Sequence, residues 1–242
     1  MRPVRRRQSP FTEDLQSYHD AKPHLIARLG SYCSYCERKI ATGLHVEHIH
    51  AKSIREDLKG RWDNFLLSCI NCNSIKGDKP VDIATMLLPD RDNTFIALRY
   101  AQDGAVQPSP DSTSAVQAMA NALLDLVGLN KKTSYFFDEN EKLVAQDRVT
   151  QRSEAWSLAQ YTLADRVADP ANQRLLRAAV NLASATGFFS IWMSVFTNDV
   201  AFKQNLLAAF PGTAESLCFS LDTISDIAPA ANPDNLNHGG KS

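Results

Sequence analysis

Apolar and polar positions change their spacing along the 242-residue chain, and the change separates an early part from a late part. Over residues 44–49 apolar and polar residues alternate, which predicts a short strand, and residues 65–68 predict a second one. Residues 69–75 then predict a short helix that Gly77 closes. Beyond residue 110 apolar positions recur every three or four residues, which predicts helices over 112–128, 139–168, 171–186, 188–197 and 199–209.

Two further segments carry local signals. Residues 12–29 predict a helix that opens at Thr12, is interrupted near Pro23 and ends at Gly30. The dipeptide Asp103-Gly104 favours a tight turn, so residues 94–107 predict a hairpin.

Both ends of the chain are polar. The first ten residues form a basic arm that prolines interrupt, and two interpretations stay open for it: it lies along a phosphate backbone, or it is a solvated terminus. The stretch from Pro229 onwards is rich in Ala, Asn, Asp and Gly, and we expect it to be disordered.

Four cysteines form two Cys-x-x-Cys pairs, one on each side of the first predicted strand. They are Cys33 with Cys36 and Cys69 with Cys72. Two such pairs can close one tetrahedral zinc site, and in a reducing compartment they are metal ligands rather than disulfides. The fifth cysteine, Cys218, lies far downstream, and we expect an inert buried thiol there.

These elements predict an α+β protein in which a small zinc-bound unit of two strands and a helix precedes a mainly helical C-terminal region. A unit of this size has a limited core and needs its metal to fold. We expect a basic arm and leading helix (1–32), the zinc-bound unit (33–80), a hairpin and linker (81–110), a helical partner-binding region (111–228) and a disordered tail (229–242).

The net charge of −1 hides an asymmetry between the two parts. Residues 1–80 hold 14 Lys and Arg against 9 Asp and Glu, whereas residues 81–242 hold 12 against 18. The positive part carries the metal motifs, as expected if a polyanion binds there. No apolar run is long enough for a membrane helix, and no signal peptide is evident, so we expect a cytoplasmic protein.

The segment between the cysteine pairs carries the groups that phosphodiester hydrolysis needs. His48 can accept the proton of an attacking water, because a neutral imidazole titrates near working pH. Glu47 and Asn73 offer hard oxygen ligands, and so small a set of protein oxygens suits Mg²⁺ or Mn²⁺. In a regular strand Glu47 and His48 face opposite sides. The strand therefore twists or ends near residue 48, or His50 replaces Glu47 as the metal ligand.

Basic side chains flank this segment. Lys76, Lys79 and Lys52 are candidates for contacts with backbone phosphates, which give affinity without sequence preference. Each is equally plausible as part of a solvated face.

The segment resembles the HNH (ββα-metal) endonucleases. The matching residues are Glu47-His48-Ile49, Asp63-Asn64 and Cys69-Ile-Asn-Cys-Asn73-Ser-Ile-Lys76-Gly77. The resemblance implies that His48 is the general base and that Glu47 binds the catalytic metal. It implies that Asn64 steadies the loop through backbone bonds, and that Asn73, where many members have His, completes the metal site. The four cysteines become structural zinc ligands.

More loosely, the chain resembles the PtuB-type nuclease subunits of Septu and retron-associated anti-phage defence systems. The resemblance rests on the opening Met1-Arg-Pro-Val, on Tyr32-Cys-Ser-Tyr-Cys-Glu37 and on Leu88-Pro-Asp-Arg-Asp-Asn93. It implies an effector nuclease that works with an ABC/SMC-like ATPase of the PtuA type.

Two other functions fit parts of the sequence. A zinc knuckle that only binds nucleic acid needs none of Glu47, His48, Asn64 and Asn73, so their joint presence favours catalysis. A stand-alone HNH restriction endonuclease is a third possibility, although residues 110–228 are acidic and show no aromatic cage or basic helix.

Overall fold

In the part of the chain that the structure describes, the fold combines helices with two small antiparallel sheets, in agreement with the predicted α+β class. A computed structural model describes residues 1–131, 147–220 and 222–242. The first sheet pairs β1 (His45–His48) with β2 (Phe65–Ser68), so that Glu47 lies opposite Leu66 and His48 opposite Phe65. Helix α2 (Ile70–Lys76) follows β2 directly and ends at Gly77.

The second sheet confirms the predicted hairpin. It pairs β3 (Leu98–Tyr100) with β4 (Val106–Pro108), and the turn between them contains Gly104 at φ 81°. Glycine suits this turn for two reasons. A positive φ is strained for other residues, and a Cβ here would collide with the carbonyl oxygen of Val149.

The helical C-terminal region also follows the apolar spacing. Its helices are α3 (Ser114–Leu126), α4 (Arg148–Ala168), α5 (Gln173–Thr186), α6 (Phe189–Val195) and α7 (Val200–Ala209). Each begins one to two residues after its predicted start, except α4. For that helix, residues 139–146 of the prediction lie outside the described residues. Side chains of Thr113, Asp147, Asn172 and Asp199 cap four of the five N-termini.

The leading helix is shorter than predicted. Helix α1 spans Ala21–Leu29 and ends at Gly30, as expected, but it does not open at Thr12. Pro23 lies in its first turn rather than interrupting it. A first-turn proline costs little, because backbone N–H groups there have no partner inside the helix.

The basic arm differs in part from both interpretations of it, because two of its four arginines, Arg2 and Arg6, are buried. Arg2 is 2% exposed, and its guanidinium donates hydrogen bonds to the carbonyl oxygens of Leu29 (2.7 Å) and Pro211 (2.8 Å). Arg6 lies 2.6 Å from the carboxylate of Asp90. These partners satisfy the buried charges, so residues 1–6 pack largely into the interior, whereas residues 7–10 stay exposed.

The tail also differs from the disorder expected for residues 229–242. Its backbone is bonded at both ends: Ala230 N and Asn93 N donate to Ser242 O at 2.7 and 3.2 Å. Lys241 pairs with the buried carboxylate of Asp92 at 3.2 Å. Composition alone misses this packing, because the partners lie some 150 positions earlier in the chain.

Two hydrophobic clusters hold the described residues together. One contains the N-terminal segment, α1, the cysteine-bearing unit, the hairpin and α3, and the other contains α5, α6 and α7. The cysteine-bearing unit thus shares its core with neighbouring segments, and the predicted domain boundaries stay predictions. Among the described helices none is both long and apolar enough to cross a membrane.

Candidate nuclease site

The four paired cysteines come together at the start of α2. Their sulfur atoms all lie within 4.8 Å of one another, and the sulfurs of Cys36 and Cys69 are 3.6 Å apart. A tetrahedral zinc with Zn–S bonds of about 2.3 Å separates its sulfurs by about 3.8 Å. The cluster is buried and made only of thiols, so the donor set fits a structural zinc ion.

Local hydrogen bonds shape both knuckles. Cys36 N donates to the sulfur of Cys33 at 3.4 Å, and Cys72 N donates to the sulfur of Cys69 at 3.5 Å. The first knuckle is attached to the sheet, because Ser34 N donates to Leu67 O at 2.7 Å. This attachment fixes the cysteine cluster relative to β1 and β2.

The predicted catalytic and metal-binding side chains lie on one cavity of about 460 Å³ beside the cysteine cluster. Glu47, His48 and Asn73 all line it, together with Tyr18, Lys52 and Lys76. Strand β1 ends at His48. The regular alternation of side chains between the two faces of the strand therefore stops at this residue. The side chains of Glu47 and His48 both line the same cavity.

The His48 ring is held on three sides. Its Nε2 lies 3.0 Å from Lys59 O, and the edges of Tyr18 and Phe65 meet it at centroid distances of 4.8 and 5.1 Å. A carbonyl oxygen only accepts, so Nε2 carries a proton and Nδ1 is the basic nitrogen of the neutral ring. Burial lowers the pKa of His48, and nearby Lys52 lowers it further, which favours the neutral form that a base requires.

Glu47 is a buried carboxylate that is paired with a buried lysine. Its Oε1 forms a close ion pair with Lys76 Nζ at 2.8 Å. The same ammonium donates a hydrogen bond to His48 O at 2.7 Å. Burial raises the pKa of Glu47, and Lys76 opposes the increase. Glu47 also lines the cavity, and its hard carboxylate oxygens suit a divalent cation.

Asn64 bridges the two ends of the loop between β1 and β2. Its Oδ1 accepts from His50 N at 2.8 Å, and its Nδ2 donates to His50 O at 3.0 Å and to Leu58 O at 3.2 Å. The loop carries Lys59, whose carbonyl oxygen faces His48. Asn64 is thus built into the loop rather than exposed to the cavity, the position that a loop-steadying residue requires.

His50 faces a different cavity. It lines a larger space of about 740 Å³ on the far side of the loop, with Arg55, Arg61 and Arg91. The structure does not bring His50 to Glu47 and Asn73, and this argues against His50 as the replacement metal ligand.

The three lysines expected to contact phosphates lie in different surroundings. Lys76 is 1% exposed and paired with Glu47, so its position disagrees with a surface contact to nucleic acid. The positive charge of Lys76 neutralises the buried carboxylate of Glu47, which has no other cationic partner among the described residues. Lys52 is exposed at the cavity, and Lys79 is exposed with its amine bonded to Leu126 O at 3.2 Å.

Tyr18 belongs to the site, and sequence reasoning missed it. Its ring contacts His48, and its hydroxyl accepts a hydrogen bond from Lys52 Nζ at 3.2 Å. The ammonium of Lys52 also lies 4.7 Å from the centre of the Tyr18 ring. Tyr18 lies about 30 positions before His48, in a segment predicted as helix, and no motif spacing connects the two.

The comparison with protein families agrees with this geometry. Residues 33–79 match the family model described as HNH endonuclease, a range that contains the four clustered cysteines and the cavity residues from β1 to α2. No curated protein matches the chain. The match supports a nuclease that binds nucleic acid and agrees with the resemblance drawn from the sequence over this range.

Proposed function

We propose that the protein is a metal-dependent HNH endonuclease that hydrolyses phosphodiester bonds in nucleic acid, with DNA as the favoured substrate and RNA as the alternative. The observation that carries the proposal is the common cavity of Glu47, His48 and Asn73 next to the four-cysteine cluster. A module that only binds nucleic acid needs no carboxylate, imidazole and amide around one space.

The roles follow from the surroundings of each side chain. His48 is the general base, because its ring is oriented by Lys59 O and kept neutral by burial. Glu47 and Asn73 would hold Mg²⁺ or Mn²⁺, which when bound neutralises charge on the phosphate. Asn64 positions the loop that carries Lys59. The zinc-bound cysteines hold α2, and therefore Asn73, against the sheet.

Exposed cations around the cavity supply the contacts with phosphate. Lys52 is well placed at the rim, where Tyr18 anchors its side chain, and Lys79 lies just beyond the end of α2. Such contacts strengthen binding to any sequence and weaken with added salt.

The test is cleavage of plasmid DNA and of structured RNA by purified protein, with EDTA and with Mg²⁺ or Mn²⁺ added back. We expect EDTA to stop cleavage and either ion to restore it. His48→Ala should abolish cleavage while its melting temperature and zinc content stay near those of the wild type. His50→Ala is the matched control, since it removes a nearby imidazole from the other cavity and should leave cleavage intact.

Other outcomes decide against the proposal. Binding without cleavage at any divalent ion would favour a zinc-knuckle binding module. Full cleavage by the His48 variant, or cleavage that persists in EDTA, would contradict the assigned chemistry. Cleavage by the isolated protein that depends on a short DNA sequence would instead favour a stand-alone restriction endonuclease.

We further propose that the nuclease is the effector of a cytoplasmic anti-phage defence system and works with an ABC/SMC-like ATPase. The three segments that carry the PtuB-type resemblance pack against one another: Val4 N donates to Pro89 O at 2.7 Å, and Arg2 N donates to Glu37 at 3.1 Å. This common packing favours a shared core rather than chance similarity of short motifs.

The helical region is the proposed docking surface for the ATPase. The chain from residue 81 onwards has an excess of acidic residues, which suits a basic partner. On α4 the side chains of Tyr161 and Val167 are 74% and 70% exposed. We expect the full-length protein to copurify with an ATPase encoded beside it and the double variant Tyr161→Arg, Val167→Arg to lose that complex. Retention of the complex by the folded variant would reject this surface.

A further inference from the structure

Two arginines contact the sulfurs of the cysteine cluster from outside the Cys-x-x-Cys pairs. Nη2 of Arg38 lies 3.1 Å from the sulfur of Cys69, and Nη1 of Arg148 lies 3.1 Å from the sulfur of Cys72. One arginine follows the first knuckle, whereas the other begins helix α4, more than 70 positions after Cys72. Each guanidinium therefore donates a hydrogen bond to a different zinc-ligating sulfur.

The negative charge of a zinc ion bound by four thiolates explains why these contacts are favourable. Zinc bound by four thiolates has a net charge of about −2. Buried net charge is costly unless a partner of opposite sign accompanies it. Arg38 and Arg148 are the two cations that reach the sulfurs among the described residues, and together they offset that charge.

The same two arginines connect the zinc-bearing unit with α4: Arg38 reaches from the unit to α4, and Arg148 reaches from α4 to the unit. Arg38 also donates to the side chains of Asn71 (2.7 Å) and of Gln151 in α4 (3.0 Å). Arg148 is 5% exposed and donates to the carbonyl oxygens of Val127 (2.9 Å) and Gly128. The first turn of α4 is thus attached to the metal cluster at two points.

We propose that Arg38 and Arg148 are charge-compensating partners of the thiolate-bound zinc, and that α4 is therefore a structural part of the zinc site. Hydrogen bonds from the guanidinium groups stabilise the negative charge on the sulfurs of Cys69 and Cys72. The two sulfurs therefore react more slowly with electrophiles and oxidants. The arginines thereby retain zinc in the folded protein. The inference concerns the metal cluster and stands whether or not the protein cleaves nucleic acid.

Helix α4 offers a matched control in Arg152, one turn after Arg148. Arg152 is 1% exposed and donates to the carbonyl oxygens of Gly104 (2.6 Å) and Leu129 (3.0 Å), but it bonds none of the cysteine sulfurs. The two arginines are thus both buried, lie one turn apart on the helix, and each donate to two backbone carbonyl oxygens. They differ in contact with the thiolate cluster.

The experiment measures zinc release from full-length zinc-loaded protein into a chromophoric chelator at a temperature where every variant is folded. Arg148→Met and Arg38→Met should each release zinc about 10- to 100-fold faster than wild type, the usual cost of losing a partner of a metal ligand. Arg148→Lys should restore part of the retention because it keeps the charge. Arg152→Met should release zinc at the wild-type rate.

A spectroscopic measurement separates charge compensation from loss of packing. In cobalt-substituted protein, loss of a hydrogen bond to sulfur should move the sulfur-to-cobalt charge-transfer band to longer wavelength in Arg148→Met and Arg38→Met, and not in Arg152→Met. Wild-type zinc release and an unmoved band in the arginine variants would overturn the proposal, as would equally fast release from Arg152→Met. Arg38 is only part-buried, so its variant decides the matter if Arg148→Met does not fold.

Discussion

Lys76 Nζ lies 2.8 Å from Glu47 Oε1, and both side chains are almost completely buried. The lysine comes from the last turn of α2 and the glutamate from β1, so the pair connects the two elements that the cysteine cluster already brings together. The same ammonium donates to His48 O at 2.7 Å. Lys76 therefore supports the candidate metal ligand and the end of the strand that carries the base.

Lys76→Met should destabilise the protein by about 3–5 kcal/mol, because it leaves the Glu47 carboxylate buried without its cation. Thermal and denaturant unfolding measure the loss, and cleavage should fall with it. Lys79→Met is the control for stability alone, since this exposed amine bonds only a carbonyl oxygen among the described residues. Added Mn²⁺ should raise the melting temperature of Lys76→Met more than that of the wild type, because a cation at Glu47 replaces the missing charge. Equal shifts in both proteins would argue against Glu47 as the ligand.

Asn64→Ala removes three hydrogen bonds that close the loop between β1 and β2. At about 1 kcal/mol for each bond, we expect a loss of about 2–3 kcal/mol in the free energy of unfolding. Cleavage should fall by more than the unfolded fraction explains, because Lys59 O no longer orients His48. Asp63→Asn, an exposed neighbour paired with Arg61, should change neither quantity. A stable Asn64→Ala protein with full activity would remove Asn64 from the site.

The sequence predicted those parts of the site that local chemistry determines. The Cys-x-x-Cys pairs, the two strands and the glycine after α2 depend on neighbouring residues. Each lies where its pattern indicated, except that β1 is one residue shorter at either end than the predicted 44–49. Burial of Arg2, Arg6 and Lys76 could not be predicted, because each is stabilised by a partner distant in sequence. A basic stretch has the same composition whether it faces a phosphate backbone or a buried carbonyl oxygen, so only the fold distinguishes the two.

Tyr18 should support His48 through its ring rather than its hydroxyl. Tyr18→Phe keeps the edge contact with the imidazole and loses only the bond from Lys52, so cleavage should stay within a few-fold of wild type. Tyr18→Ala opens one side of the ring to water and should lower the turnover rate by about 10-fold or more, since a misplaced base loses much of its effect. Comparison of kcat for the two variants checks this prediction. Equal losses in both would assign the effect to the hydroxyl.

Cys218 should be the last of the five cysteines to react with an alkylating reagent. Burial raises the pKa of its thiol to about 11, so at pH 8 only about one molecule in a thousand carries the reactive thiolate. The residue belongs to the helical hydrophobic cluster, apart from the cluster that contains the four paired cysteines. Loss of zinc should therefore expose the four clustered thiols without exposing Cys218.

Mass spectrometry of alkylated protein measures this order directly. We expect no modification of the zinc-loaded native protein, four modified cysteines after chelation, and five in denaturant. Under the same conditions, the Cys218→Ala variant should show no modified cysteine in the zinc-loaded native protein, four after chelation and four in denaturant. Modification of Cys218 together with the other four on chelation would mean that the two hydrophobic clusters unfold as one unit when the metal leaves. That result would extend the structural role of the zinc from the nuclease unit to the helical region.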